Sequence, residues 1–283
     1  MCRFVLYLGP PITLDLLTTR PAYSIIHQSY KSRMRVEPLN GDGFGVAWYV
    51  RSISPEPAVF RSIQPAWNNL NLRHLARVTR SPAILAHVRA ATPGMGVSEA
   101  NCHPFTAGTL AFMHNGAVPE FARLKRQFQQ RLSDEAYSQT QGSTDSEHVF
   151  ALFRDHLARL DKRDSTETMA LALERTIAET AEMARSIATP RNALLNLAVS
   201  DGQRAVVSRY ATGESEGPSL YYHVGKKYTC TDGVCHMVDA DEEHHAAIVA
   251  SEPLTEEASW RLVPPNHMVL VDPDQSVDLR PIC

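Results

Sequence analysis

Several things are missing from this 283-residue sequence, and each absence removes a class of function. No stretch approaches the roughly 18 apolar residues that a membrane-spanning helix needs. The short apolar run after Arg3 is broken by Pro10 and Pro11, with no basic stretch before it and no small-residue cleavage site after it. A secretory leader is therefore not expected. Neither sign of charge dominates: 28 Lys+Arg stand against 31 Asp+Glu, a formal net charge of −3. That balance argues against a nucleic-acid binder working through charge. There is no G-x-x-x-x-G-K-[ST] and no strand-flanked G-x-G-x-x-G, so no ATP or dinucleotide signature and no cofactor is expected. Cysteines are few and odd in number, five, at positions 2, 102, 230, 235 and 283. That spread suits a reduced, cytoplasmic protein better than a disulfide framework. Cys230-x4-Cys235-His236, even with His244 and His245 nearby, lacks the paired C-x2-C spacing of a zinc site, and no metal is expected. No Pro- or Ser-rich linker divides the chain, and residues 1–283 read as a single domain.

What is present is an ordinary globular composition, 43% hydrophobic and 21% charged, with ample length for a sizeable core. Strands are expected at 3–8, 46–50, 83–89 and 109–114, the last stopped by Asn115-Gly116. A helix entered at Pro21 covers 21–30, and another follows Pro119, with Phe121, Leu124 and Phe128 on one face. Thr144-Asp145-Ser146-Glu147 has capping-box spacing and opens a helix over 144–160. A further helix covers about 167–187. Leu194–Val199 and Ala205–Tyr210, joined through Asp201-Gly202, read as a hairpin. More strands follow at 220–224, 247–250 and 268–271. Strands, then helices, then strands predict an α+β fold of packed layers rather than an alternating parallel sheet.

A few residues carry possible chemistry. Removal of Met1 would make Cys2 the N-terminus, placing a thiol and an α-amine of reference pKa about 7.7–8.0 on one residue. Such an amine can act as base for its own thiol, with no separate histidine. A chain can also begin Met-Cys by chance, and a lipid-anchor role has no export signal to support it. The Asn115 amide and the next backbone N–H form a two-donor oxyanion site of the kind acyl transfer needs, although Asn-Gly is also a common turn. Arg89, at the end of a strand, suits a carboxylate held by two parallel bonds, or a structural salt bridge. Asp145, in the first turn of a helix, could hold a substrate ammonium, or could merely reflect the preference for acids there.

Taken together and in order, Cys2, Asn40-Gly41-Asp42-Gly43-Phe44-Gly45, His87-Val88-Arg89-Ala90-Ala91-Thr92, His114-Asn115-Gly116 and Thr144-Asp145-Ser146-Glu147 resemble the class II glutamine amidotransferases. Arg20-Pro21-Ala22-Tyr23-Ser24, Pro65-Ala66-Trp67-Asn68-Asn69, Asn101-Cys102-His103-Pro104-Phe105 and Ala250-Ser251-Glu252-Pro253 extend the likeness. They point to a stand-alone branch that includes the amidotransferase-like subunit of the fungal glutathione-degradation complex. The resemblance implies a four-layer αββα N-terminal-nucleophile hydrolase fold. It implies Cys2 as nucleophile, with its α-amine as base, and Asn115 and Gly116 as oxyanion donors. Arg89 would grip the substrate α-carboxylate and Asp145 the α-ammonium, with His87 and Thr92 in the same substrate-loop motif. The chain departs from ammonia-transferring members at Ala90, where they commonly carry Trp, at Pro93, where they carry His, and at Leu39-Asn40-Gly41-Asp42. With no synthetase segment following, hydrolysis of a small γ-glutamyl compound is the expected outcome. A metallopeptidase partner subunit is the implied companion. Alternatives are γ-glutamyl removal in a biosynthetic pathway such as that of ergothioneine, a glutaminase subunit feeding a separate synthetase, or an inactive subunit that binds γ-glutamyl metabolites.

Overall fold

The computed structural model describes residues 2–34, 39–91, 96–161, 164–231, 233–239 and 245–282. Its strands are β1 (Arg3–Thr13), β2 (Phe44–Trp48), β3 (Ala58–Ser62), β4 (Arg80–Val88), β5 (Phe105–Ala107), β6 (Leu110–Ala117), β7 (Leu194–Ser200), β8 (Ala205–Arg209), β9 (Tyr221–Gly225), β10 (Lys227–Thr231), β11 (Val234–Val238), β12 (Ala246–Ala250), β13 (Arg261–Leu262), β14 (His267–Val271) and β15 (Val277–Pro281). The helices are α1 (Asp15–Thr18), α2 (Ile25–Tyr30), α3 (Leu70–Val78), α4 (Phe121–Arg131), α5 (Asp134–Ser138), α6 (Asp145–Ala158) and α7 (Thr166–Arg185).

Two sheets carry the architecture. The first runs β13-β9-β12-β1-β4-β2-β3 and the second β15-β14-β8-β7-β6-β5. The strand pairings within them are antiparallel, with β1 central between β12 and β4. Side chains alternate along each strand. Phe4, Leu6 and Leu8 of β1 therefore meet Ala111 and Met113 of β6 in a core between the sheets. Val5 and Tyr7, on the opposite face, pack with Leu17, Ile25, Ile26 and Leu72 from the α1–α3 side. The second sheet is covered in the same way: Phe112, Leu195 and Leu197 pack against Phe128, Phe153 and Leu173 of α4, α6 and α7. The layers are thus helix, sheet, sheet, helix, the αββα arrangement expected. Burial of both faces explains why β1 reads as a continuous apolar run rather than an alternating one.

Several boundaries differ from the sequence expectation. The helix expected from Pro21 begins at Ile25, because the Ser24 hydroxyl accepts the His27 N–H at 3.3 Å and fixes the start there. β3, α3 and β15 were not expected. α3 is capped by Asn69, whose Oδ1 accepts the Leu72 N–H at 2.8 Å. The β10–β11 hairpin is a correction to the cysteine reading. Cys230 and Cys235 face each other directly across its register, 3.9 Å apart at Cα, and form a disulfide. The signal lay in Asp232-Gly233, a two-residue hairpin loop sequence whose glycine takes φ +82°. Cys2 and Cys102 are thiols. Among the described residues no helix is long and apolar enough to cross a membrane.

Candidate active site

The strand order sets the site. β1 begins at Arg3, and alternation turns Cys2 toward the same side as Phe4, into the gap between the sheets. Cys2 is buried, and its thiol donates to the Ala90 carbonyl at 3.6 Å. It lines a small cavity with Arg89, Ala90, Ala91, His103, His114, Gly116, Thr144, Asp145 and Ser146. Four of the expected site residues, Cys2, Arg89, Gly116 and Asp145, thus share one cavity, although 143 positions separate the first from the last. Asn115 is fully buried beside it. His87 lies behind the cavity wall rather than in it, and Thr92 lies outside the described residues.

Arg89 follows β4 and is only 4% exposed. A buried guanidinium is costly unless its charge is met. Among the described residues Arg89 makes no ion pair; its Nη1 donates to the Asp42 carbonyl at 3.4 Å. The structural salt bridge considered from sequence is therefore not what holds it. The glycine-rich block around Asp42 does hold it. The Asp42 N–H donates to the Arg89 carbonyl at 3.0 Å, the Arg89 N–H to the Gly43 carbonyl at 2.8 Å, and the Ala91 N–H to Asp42 Oδ2 at 2.8 Å. Gly43 has φ +113°, and a Cβ there would lie 2.7 Å from the Cys102 sulfur. This explains why the turn carries glycine.

Asn115-Gly116 requires a correction. It was expected to stop a strand and open a loop, yet β6 runs through it to Ala117, with Asn115 opposite Asn196 and Gly116 opposite Leu195. Gly116 is a glycine because of close approach: a Cβ would sit 1.8 Å from the Leu194 carbonyl oxygen. Alternation puts Asn115 on the same face as Met113, toward the first sheet. There its Nδ2 donates to the Ser251 hydroxyl at 3.2 Å, while its Oδ1 has no hydrogen-bond partner.

Asp145 opens α6 after the Thr144 cap, whose hydroxyl accepts the Glu147 N–H at 3.3 Å. The reciprocal half of the capping box is redirected, since Glu147 Oε1 accepts the Gln141 N–H at 2.8 Å. Asp145 Oδ2 accepts the Val118 N–H at 2.7 Å and Oδ1 the Ser146 N–H at 2.8 Å. The carboxylate is thereby fixed in place at a helix start, where negative charge is favoured.

Sequence reading missed the role of a histidine cluster behind these groups. His87 Nε2 lies 3.1 Å from the His114 carbonyl and 2.9 Å from His103 Nδ1. Carbonyls only accept, so His87 Nε2 carries the proton. His103 Nδ1 also accepts the His114 N–H at 3.3 Å, so the His103 proton is on Nε2. His114 Nε2 donates to the Leu194 carbonyl at 2.9 Å, which leaves its Nδ1 to accept the Ser146 hydroxyl at 2.9 Å. Burial pushes His87 down to about 3 and His103 well below the usual imidazole range, so both are neutral donors and acceptors at neutral pH. The signal available in sequence was Asn101-Cys102-His103-Pro104, a polar run leading into a strand.

The sequence profile of the class II glutamine amidotransferases matches residues 17–279. The chain belongs to the class II glutamine amidotransferases. It is 42% identical over 303 residues to the probable glutamine amidotransferase DUG3 of Saccharomyces cerevisiae, covering all of this chain and 84% of the yeast protein. It is 28% identical over 270 residues to the gamma-glutamyl-hercynylcysteine sulfoxide hydrolase of Mycolicibacterium smegmatis, covering 95% of each. Among solved structures it is similar to a class-II glutamine aminotransferase domain protein of Silicibacter pomeroyi, with TM-score 0.70 and 29% identity over all of both chains. The glutamine phosphoribosylpyrophosphate amidotransferase of B. subtilis, at 15% identity and TM-score 0.61 over 49% of its length, shares the fold. The family's amidotransferase fold therefore matches the four layers described above.

Proposed function

We propose that this class II amidotransferase relative is an N-terminal-cysteine amidohydrolase that cleaves the γ-glutamyl amide bond of a small γ-glutamyl compound. The observation that carries the reading is the buried Arg89, lacking a carboxylate partner among the described residues, in one cavity with the Cys2 thiol and the Asp145 carboxylate. A γ-glutamyl group presents an α-carboxylate and an α-ammonium at one end and an amide at the other. Arg89 suits the first, Asp145 the second, and Cys2 with Asn115 and Gly116 the third.

In this mechanism the mature chain begins at Cys2. Its α-amine takes the thiol proton, and the thiolate forms a C–S bond to the γ-carbonyl carbon. Carbonyl electrons move onto oxygen, where the Asn115 side chain and Gly116 N–H stabilise them. Collapse breaks the C–N bond, and the Cys2 ammonium gives its proton to the leaving amine. Water then attacks the γ-glutamyl thioester, the amine takes a proton from it, and glutamate leaves as the thiol is restored. His87, in β4 behind the cavity wall, supports the site through its bonds to His103 and the His114 carbonyl. On this reading the mature chain, from Cys2, works as a single domain in the cytoplasm. Similarity along all of this chain and 84% of DUG3 agrees with the branch that the sequence motifs resemble, and that resemblance favours a glutathione-like substrate and a metallopeptidase partner that takes the dipeptide product. Similarity along 95% of the M. smegmatis hydrolase supports a second reading, a γ-glutamyl sulfoxide intermediate of an ergothioneine-type pathway.

The test measures glutamate release from glutathione, glutamine and a panel of γ-glutamyl amides, with Cys2→Ala as control and intact mass to establish the first residue. Turnover that is lost in Cys2→Ala and requires loss of Met1 is the expected result. Equal turnover by Cys2→Ala, or full activity with Met1 retained, would overturn the mechanism.

A further inference from the structure

The nucleophile and the oxyanion donor sit on different sheets. Cys2 precedes β1 of the first sheet, whereas Asn115 lies in β6 of the second. Their relative placement therefore depends on whatever ties the sheets together at this end. A terminal amide rotates over a broad range about χ2, so burial alone does not aim its N–H. One side chain bonds directly to both β1 and the Asn115 amide. Ser251 directly follows β12, where the chain leaves the ladder it forms with β1. Its N–H still donates to the Phe4 carbonyl at 3.0 Å. Its hydroxyl takes the place of the next backbone acceptor, receiving the Phe4 N–H at 3.1 Å. The same oxygen receives the Asn115 Nδ2–H from across the gap at 3.2 Å. Both side chains are fully buried, and the Ser251 carbonyl is itself held by the Ser219 hydroxyl at 2.8 Å.

We infer that Ser251 is a positioning residue of the reaction: its hydroxyl bonds β1, two residues from the nucleophile, to the Asn115 amide, and so aims the second Nδ2–H at the oxyanion. Nδ2 carries two hydrogens, one committed to Ser251 and the other left for the reacting oxygen. Without the hydroxyl the amide can rotate, and its Oδ1, which lacks a partner, can turn toward developing negative charge. Loss of an oxyanion donor costs roughly 10²–10³ in kcat. Loss of its aim should cost somewhat less, while leaving ground-state binding through Arg89 and Asp145 in place.

The inference rests on the γ-glutamyl hydrolase reading and is tested by a double-mutant cycle in kcat on γ-glutamyl-p-nitroanilide. Ser251→Ala should lower kcat roughly 10–100-fold, with KM within about threefold. In an Asn115→Ala background the same change should cost less than about threefold, because the group it aims is gone. Ser251→Thr, which keeps the oxygen, should recover most of kcat and covers the case in which Ser251→Ala does not fold. Equal kcat losses in both backgrounds, or a Ser251→Thr no better than Ser251→Ala, would overturn the inference while leaving the hydrolase reading standing. A wild-type protein inert toward every γ-glutamyl amide would remove both.

Discussion

The Arg3–Glu252 pair offers the sharpest quantitative test of how the N-terminal strand is held. Both side chains are 2% exposed, with Arg3 Nε 2.5 Å from Glu252 Oε1. Arg3 Nη1 donates to the Cys2 carbonyl at 2.9 Å and Nη2 to the Ser32 hydroxyl at 3.2 Å, while Glu252 Oε2 accepts the Arg33 N–H at 2.9 Å. Glu252→Gln keeps the shape and removes the charge. The guanidinium then stays buried without its counter-ion, a loss of about 3–5 kcal/mol. Spread over an unfolding entropy of about 2.1 cal/mol/K per residue, that lowers Tm by roughly 5–8 °C. Replacing both partners with apolar residues, Arg3→Met with Glu252→Leu, removes the buried charges together and should cost less than Glu252→Gln alone. Acid should act in the same direction. Burial pushes the Glu252 carboxyl up, but the Ser32 hydroxyl, the Arg3 charge and the Arg33 N–H outweigh it and hold it below the usual range. A carboxyl lowered on folding contributes stability above its unfolded pKa of about 4.3 and loses it as pH falls through the folded value. Thermal melts by circular dichroism at pH 7 and pH 4 for the three proteins provide the comparison. A Glu252→Gln protein within 1 °C of wild type, or a double variant less stable than Glu252→Gln, would refute the reasoning.

Gly116→Ala should be among the most damaging single changes, because its Cβ meets the Leu194 backbone and β6 must part from β7; urea unfolding should show a loss of about 3 kcal/mol, and activity should fall with it. The neutral histidines predict acid sensitivity above the carboxylate range. His87 has a folded pKa of about 3 against about 6.5 unfolded, so its contribution is complete above pH 6.5 and declines below it; moving to pH 5 should remove about 2 kcal/mol for this residue, read as a lower urea midpoint. The Cys230–Cys235 disulfide closes a loop of five-residue separation, for which chain entropy gives about 2 kcal/mol. The paired serine variant should lose no more than that and retain kcat; a collapse of activity would place the hairpin in the catalytic machinery.

The layers were legible because their causes are local. Apolar strands and amphipathic helices announced themselves at β1, β4, α4 and α6, and the Thr144 cap located the start of α6 correctly. What escaped was set by partners distant in sequence. Asn115-Gly116 reads as a turn until Leu194 is seen against it. Arg89 reads equally as a grip for a carboxylate or as a structural salt bridge, until it is seen to make no ion pair among the described residues and to donate to the Asp42 carbonyl. His87, His103 and His114 are scattered until two sheets bring them together, and Ser251 gains meaning only from a strand 136 residues earlier in the chain. Short edge elements such as β3 and β15 carry too little apolar pattern to stand out.

Tyr49 ties the sheets at a second point, its hydroxyl donating to the Thr109 and Ser200 carbonyls at 2.8 and 3.0 Å. With the proposed nucleophile on one sheet and the proposed oxyanion donor on the other, the mechanism proposed above predicts that neither half of the sandwich is active while forming alone. During refolding from denaturant, backbone circular dichroism should recover first, and turnover should return only when the halves dock. The enzyme's own substrate then becomes a clock for the last event of folding.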